Sequence, residues 1–321
     1  ILDNNSPITG YQWTINPGSQ TSSNLNATFN LGPGSNINYD YSLTATNACG
    51  STTADGDVFL IAAPTVTIPQ NTITNCLANW VLDLNPTFDN GGGVIQGYNW
   101  NIVGGTQNVD WSIQSGALNS ADANFTFLNS GNYSLIVELE SQCGISSDQV
   151  QLVIQDVPEV TIPNVLPECE PLQVVLNPVV SDNLSAITSY NWTTSPLPNT
   201  VQFVNGTSNL SDTTEILFAD NNTYTLQLAV TNGCGITTDT QQVVVHDTPI
   251  ANVAGGIICP GGTLPLNVLP SGGSGSGFTY SWTPTNGLNY SVGQNVAASP
   301  ISTQIYSVEI SDSNGCNSAT D

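Results

Sequence analysis

The sequence predicts an all-β chain of tandem sandwich domains, on three observations. An alternating stretch, Tyr224-Thr-Leu-Gln-Leu-Ala-Val-Thr-Asn-Gly-Cys234, recurs in four copies that begin at Tyr39, Tyr133, Tyr224 and Tyr306 and end at Cys49, Cys143, Cys234 and Cys316. A period of two marks a half-buried strand, because successive side chains point to opposite faces. Tyr-x-Trp recurs at Tyr11/Trp13, Tyr98/Trp100, Tyr190/Trp192 and Tyr280/Trp282, and self-similarity at roughly ninety residues is the mark of an array. Turn residues return about every ten positions with no helical period between them.

The third repeat shows the elements in order. Prolines flank residues 160–162, so this first strand belongs at an edge, where a missing N–H does no harm. Cys169 opens a second strand in which Leu172, Val174 and Leu176 alternate until Asn177-Pro178 stops it. Residues 190–193 and 215–218 are the third and fourth strands, the latter followed by a turn at 219–222. Residues 224–231 form the long strand, Asn232-Gly-Cys-Gly235 a tight hairpin, and 243–245 the last strand. Such a series is an Ig-like β-sandwich. The repeated Trp13, Trp100, Trp192 and Trp282, with Tyr39, Tyr133, Tyr224 and Tyr306, are core residues, since one spacing in every copy speaks for packing. Trp80 and Trp111 fall outside the pattern and are the candidate surface aromatics.

A proline opens each new unit, at Pro64, Pro158 and Pro249. The expected domains are 1–63, lacking its start, then 64–156, 157–248, and 249–321, lacking its end. Pro249 follows Val245 by only four positions, and such short Pro-containing joints restrict bending, so the expected array is a semi-rigid rod. The Gly91-Gly92-Gly93 and Ser271–Gly277 stretches read as flexible loops inside units.

Among 321 residues there is no Lys or Arg, against 24 Asp plus Glu, for a net charge of -24 with only 7% of residues charged. Nothing neutralises phosphate, so nucleic acid is excluded as a partner, and an anionic membrane surface is disfavoured for the same reason. No apolar run approaches the length of a transmembrane helix, so no direct membrane insertion is expected. Every carboxylate must turn to water, amides, hydroxyls or a metal cation.

Seven cysteines suggest an oxidising compartment. The repeat pairs them as Cys76–Cys143, Cys169–Cys234 and Cys259–Cys316, with Cys49 left over. Zinc ligation fails for want of neighbouring Cys or His at ligand spacing. Catalysis has little to work with: the single His246 has no nucleophile motif around it, and no Lys or Arg stands by for an oxyanion. No enzyme activity, cofactor or catalytic residue is expected. Asp55, Asp148, Asp239 and Asp321 follow their cysteines by five or six residues and read as acceptors of backbone hydrogen bonds. The rival is a calcium site near Asp156, Glu159, Glu168, Glu170 and Asp247, for which no EF-hand spacing exists, so no metal site is expected. Ten Asn-x-Ser/Thr sequons, among them Asn26, Asn124, Asn132, Asn183, Asn191 and Asn205, allow glycosylation.

Ile258-Cys-Pro-Gly-Gly-Thr-Leu-Pro-Leu266, Tyr280-Ser-Trp-Thr-Pro-Thr-Asn-Gly-Leu288 and the stretch from Tyr306 to Cys316 resemble the PKD-like/Ig-like repeats of very large Bacteroidota surface proteins. Phe125-Thr-Phe-Leu-Asn-Ser-Gly-Asn-Tyr133 is similar to a strand and turn of a PKD domain. The Trp-x-Phe-Gly-Asp-Gly signature follows none of the four repeated Trp residues, so the resemblance is to Ig-like repeats as much as to PKD repeats. It implies an extracellular, cell-attached stalk or filament of the gliding-motility adhesin type, exported by type IX secretion. The implied partners are neighbouring repeats of the same chain, with lateral homo-association or surface glycans as further partners. The alternative is a glycan- or protein-binding module.

Overall fold

From Tyr133 onward the alternation does what a period of two requires. Tyr133, Leu135, Val137 and Leu139 are buried, while the residues between them lie at the surface or half-buried. Each aliphatic side chain so buried contributes about 1.5–3 kcal/mol, which holds the strand to one register. The computed structural model describes residues 5–31, 36–77, 82, 84–196 and 200–321. Every named element in it is a β-strand, and the chain divides into two compact units, Ile1–Asp156 and Val157–Asp321.

In the first unit, Gln20–Ser22, Ile8–Asn16, Ile37–Asn47 and Gly50–Leu60 form an antiparallel four-stranded sheet in that order. A second four-stranded sheet runs Thr72–Cys76, Gly144–Gln155, Gly131–Ser141, Ile95–Val103. Its first pair is parallel and the rest antiparallel. Trp111–Ser115 with Asn124–Phe127, and Thr65–Thr67 with Thr87–Asp89, make smaller sheets. Trp100, Phe125, Leu135 and Leu152 meet in one core with residues of these strands.

The second unit repeats the plan. Glu168–Cys169, Gly235–His246, Asn222–Asn232 and Ser189–Ser195 form one sheet, and Leu172–Leu176, Thr214–Phe218 and Val201–Phe203 another. Trp192, Phe218, Tyr224 and Leu228 fill the core associated with them. Residues beyond 249 pair as Pro249–Ile250 with Ser271–Gly272, Leu264–Asn267 with Asn295–Ala298, and Thr279–Thr283 with Ser307–Ser311. They enclose a third core around Trp282, Val308 and Ile310.

Two repeated hydrogen bonds lock the aromatics. Trp13, Trp100, Trp192 and Trp282 each donate Nε1–H to a backbone carbonyl, of Asn24, Ser120, Ser211 and Gly293, at 2.9–3.1 Å. Tyr133 and Tyr224 donate their hydroxyls to the carbonyls four residues upstream, Asn129 at 3.0 Å and Asp220 at 2.9 Å. That is the tyrosine corner of Ig sandwiches. The sheets, the corner and the buried Trp make these tandem Ig-like β-sandwiches.

Three expectations are corrected. The strand opened by Cys169 is two strands in different sheets, Glu168–Cys169 and Leu172–Leu176, because Pro171 between them has no N–H to carry a ladder across. The last strand starts at Gly235 rather than near 243, since its polar first half pairs with Asn222–Asn232 while facing solvent and carries no apolar signal. The glycine stretches are not free loops. Gly91 (φ +65°) packs so closely that a Cβ there would lie 2.7 Å from the Ala63 carbonyl oxygen.

Candidate functional site: the joints between sequence repeats

The hairpin that ends each long strand presents a cysteine on a turn held by a neighbouring side chain. Asn47 Oδ1 accepts from Cys49 N at 2.9 Å, Ser141 Oγ from Cys143 N at 3.2 Å, and Asn232 Oδ1 from Cys234 N at 2.8 Å. In the last repeat Asp312 Oδ1 takes the amides of Asn314 and Cys316, both at 2.9 Å. These are Asx- and Ser-type turns, in which a short polar side chain substitutes for a backbone acceptor.

The strand-opening cysteines lie at the other end of the sheet. Cys76 stands opposite Gln155, and Cys169 opposite His246, each at the far end of a strand of 12 residues that begins at the hairpin. Twelve extended residues span about 36 Å, whereas bridged cysteines need Cα atoms within about 7 Å. The in-repeat pairs Cys76–Cys143 and Cys169–Cys234 are therefore wrong. Cys169 is bonded to Cys316, with Cα atoms 5.7 Å apart and 147 residues of sequence between them. This also overturns Cys259–Cys316: Cys49, Cys143 and Cys259 are exposed free thiols.

The bridge ties the third sequence repeat to the fourth, and polar contacts surround it. Glu170 Oε2 accepts from Asn221 N at 2.5 Å and Oε1 from Thr248 N at 3.4 Å. Asp247 Oδ2 accepts from Gly273 N at 3.0 Å, and Asp312 Oδ2 from Ser274 N at 2.7 Å. Seven residues ahead of Tyr98, Tyr190 and Tyr280 stand Gly91, Asn183 and Gly273, all with positive φ. All three meet the chain entering their repeat: Gly91 O accepts from Ala62 N at 2.9 Å, Asn183 Nδ2 donates to Val157 O at 2.7 Å, and Gly273 bonds Asp247 as above.

Charge at this joint is answered without a single Lys or Arg. Burial raises the Glu170 pKa, and a hydrogen bond with Asp247 raises it further, against the opposing amides of Thr248 and Asn221. Burial would raise Asp312 too, but the amides of Cys316, Ser274 and Asn314 outweigh it and hold the carboxyl below its ordinary value. The repeated aspartates act as backbone acceptors. Asp148 takes Ile68 N, Asp239 takes Ile162 N and Asp321 takes Val253 N, each at 2.7 Å. Among the described residues, no group of three or more His, Cys, Asp or Glu is placed to hold a metal ion.

Trp111, expected at the surface, is 6% exposed and packs edge-on against Phe125, with ring centroids 6.3 Å apart. The strand Trp111–Ser115, absent from the third-repeat template, carries it inward. Trp80 lies outside the described residues. A cleft of about 650 Å³, lined among others by Ile257, Leu264, Trp282, Ile301 and Tyr306, opens in the last repeat. Nothing in the repeat pattern announced it.

No protein-family model matches the chain, and no curated protein matches it. Solved structures overlap it at low similarity. The titin I-band fragment I67-I69 is 12% identical, with 81% of this chain and 98% of that one covered, at a TM-score of 0.37. Drosophila OTK extracellular domains 3-5 are 15% identical, covering 76% and 88%, at 0.30. Sidekick-1 immunoglobulin domains 1-5 are 10% identical, covering 98% and 71%, at 0.28. At these scores the overlap carries no argument, and the Ig-like assignment stands on the sheets and corners above.

Proposed function

We propose that the chain is a structural segment, a stalk or filament, of a large extracellular bacterial surface adhesin. It consists of four Ig-like repeats bounded at 63/64, 156/157 and 248/249, arranged as a semi-rigid rod and attached to the cell surface. The observation that carries this reading is the Cys169–Cys316 bond, which spends a disulfide on joining successive repeats. Such a bond serves a chain that must transmit force through its joints, and it suits an oxidising, extracellular setting. The partners in this reading are neighbouring repeats of the same polypeptide, with lateral association between identical rods. Enzyme activity has no place in it. Gliding motility and type IX export remain the finer reading, supported by the sequence resemblance.

Small-angle scattering of the purified chain tests the rod. A compact globule of this length has a radius of gyration of about 20 Å. The rod reading expects a value well above that, and a value near it would sink the proposal. In the alternative reading, a glycan- or protein-binding module, Trp80 and the loops supply the contacts. Saturable binding on a glycan array, lost in Trp80→Ala, would favour that alternative.

A further inference from the structure

Cys143 stands in the first unit where Cys316 stands in the second. The registers make the comparison direct. Tyr39 is opposite Val58, Tyr133 opposite Leu152 and Tyr224 opposite Val243. Three residues after each of those partners come Ile61, Gln155 and His246. Cys76 lies opposite Gln155, and Cys169 opposite His246. The position opposite Gln155 or His246 is thus where a strand-opening cysteine sits, and at His246 that cysteine is bonded to the hairpin cysteine of the following repeat. At Ile61 the hairpin cysteine of the following repeat is already in place, with Cys143 Sγ 4.0 Å from the Ile61 carbonyl oxygen.

The sheet edge next to it is open. Among the described residues Gly50–Leu60 pairs on one side only, with Ile37–Asn47. Its counterparts Gly144–Gln155 and Gly235–His246 each also carry a parallel strand, Thr72–Cys76 or Glu168–Cys169, on the other side. Val58 is exposed, whereas its counterparts Leu152 and Val243 are buried, and Phe59 beside it is exposed as well. An exposed edge with large apolar side chains is a template for another strand.

We infer that Cys143 is the hairpin half of a repeat-to-repeat disulfide. Its partner is a cysteine opening an extended segment that lies parallel to Gly50–Leu60, opposite Ile61. The segment belongs to the first repeat of the parent polypeptide, where the Cys-to-Trp spacing of 23 or 24 residues in the other repeats counts it back from Trp13. Bond formation breaks two S–H bonds and makes one S–S bond. Two protons and two electrons pass to the disulfide of an exchange catalyst of the thiol–disulfide oxidoreductase class, which leaves as the dithiol. The inference rests on the repeat division proposed above and is independent of the adhesin reading.

Disulfide mapping of the parent protein, with thiols blocked at harvest, tests it. Without Lys or Arg in this segment trypsin has no site, so peptic digestion is required. The expected result is a Cys143 peptide linked to a cysteine outside residues 1–321, with Cys169–Cys316 as the internal control. Cys143 alkylated without reduction, or linked to Cys76, or to Cys259 of a second copy, overturns the inference. An intact Cys169–Cys316 link beside a free Cys143 removes this joint alone and leaves the array standing, whereas loss of both links removes the division as well. As a second measurement, a synthetic peptide of residues 165–176, carrying Cys169, is incubated with the full chain in glutathione buffer. Preferential mixed disulfide at Cys143, abolished by Cys143→Ser, is expected; equal labelling of Cys49, Cys143 and Cys259 contradicts it.

Discussion

A carboxylate in a chain without Lys or Arg has only amides, hydroxyls and water to answer it, and individual residues show how that is managed. Amide side chains take the place of cations: Gln173 Nε2 and Asn205 Nδ2 donate to Glu215 at 2.5 and 2.8 Å and lower its pKa. Asn129 and the amide of Thr106 do the same for Asp110. Glu170 is the exception, raised by burial and by its bond with Asp247. A carboxyl whose folded pKa lies above its unfolded value, near 4.5, binds its proton more tightly when folded. Its contribution is then fully present below that unfolded value and is lost as pH rises through the folded pKa. Glu170→Gln should flatten the pH dependence of stability above pH 4.5 and raise the melting temperature at neutral pH relative to the parent. Thermal melts of both proteins from pH 4 to 7 check this, and parallel curves would refute the carboxyl-pair account.

At the scale of the element, the long strands were legible because alternation is local. Leu226, Leu228 and Val230 need only their own spacing to mark the buried face. The short strands Val179–Ser181 and Val201–Phe203 were not read, since three residues carry too little pattern. The strand Trp111–Ser115 was missed as well, and with it the location of Trp111. Because that indole sits against Phe125 in the core, Trp111→Ala should cost about 3–5 kcal/mol of stability. Urea denaturation would measure it. A surface aromatic would instead leave the midpoint unchanged and alter only binding.

At the scale of the molecule, the Cys169–Cys316 bond makes two successive repeats answer to each other. Closing a loop of 147 residues restricts the unfolded chain by about 5 kcal/mol in the chain-entropy account. Cys169→Ser and Cys316→Ser should therefore lower the urea midpoint of the full chain to the same extent, and the double variant should fall no further than either single. If the double variant is additive, the two cysteines are not partners.

By itself the sequence determined that the chain is all-β and repeated, that Trp100, Trp192 and Trp282 lie in cores with Tyr133 and Tyr224, and that Asp148, Asp239 and Asp321 take backbone amides, whereas Trp13, expected in a core as well, is only half-buried. The first two follow from spacing along one strand; the aspartates were marked by their repeated place after each hairpin, though the amides they take lie 68 to 80 residues away in sequence. Only the tertiary structure decided which cysteine meets which. Cys169 lies beside His246 because its strand runs parallel to Gly235–His246, which puts the hairpin cysteine of its own repeat a full strand away and that of the next repeat within bonding distance. A pairing that depends on strand direction and on the packing of one repeat against the next leaves no mark in the spacing of either.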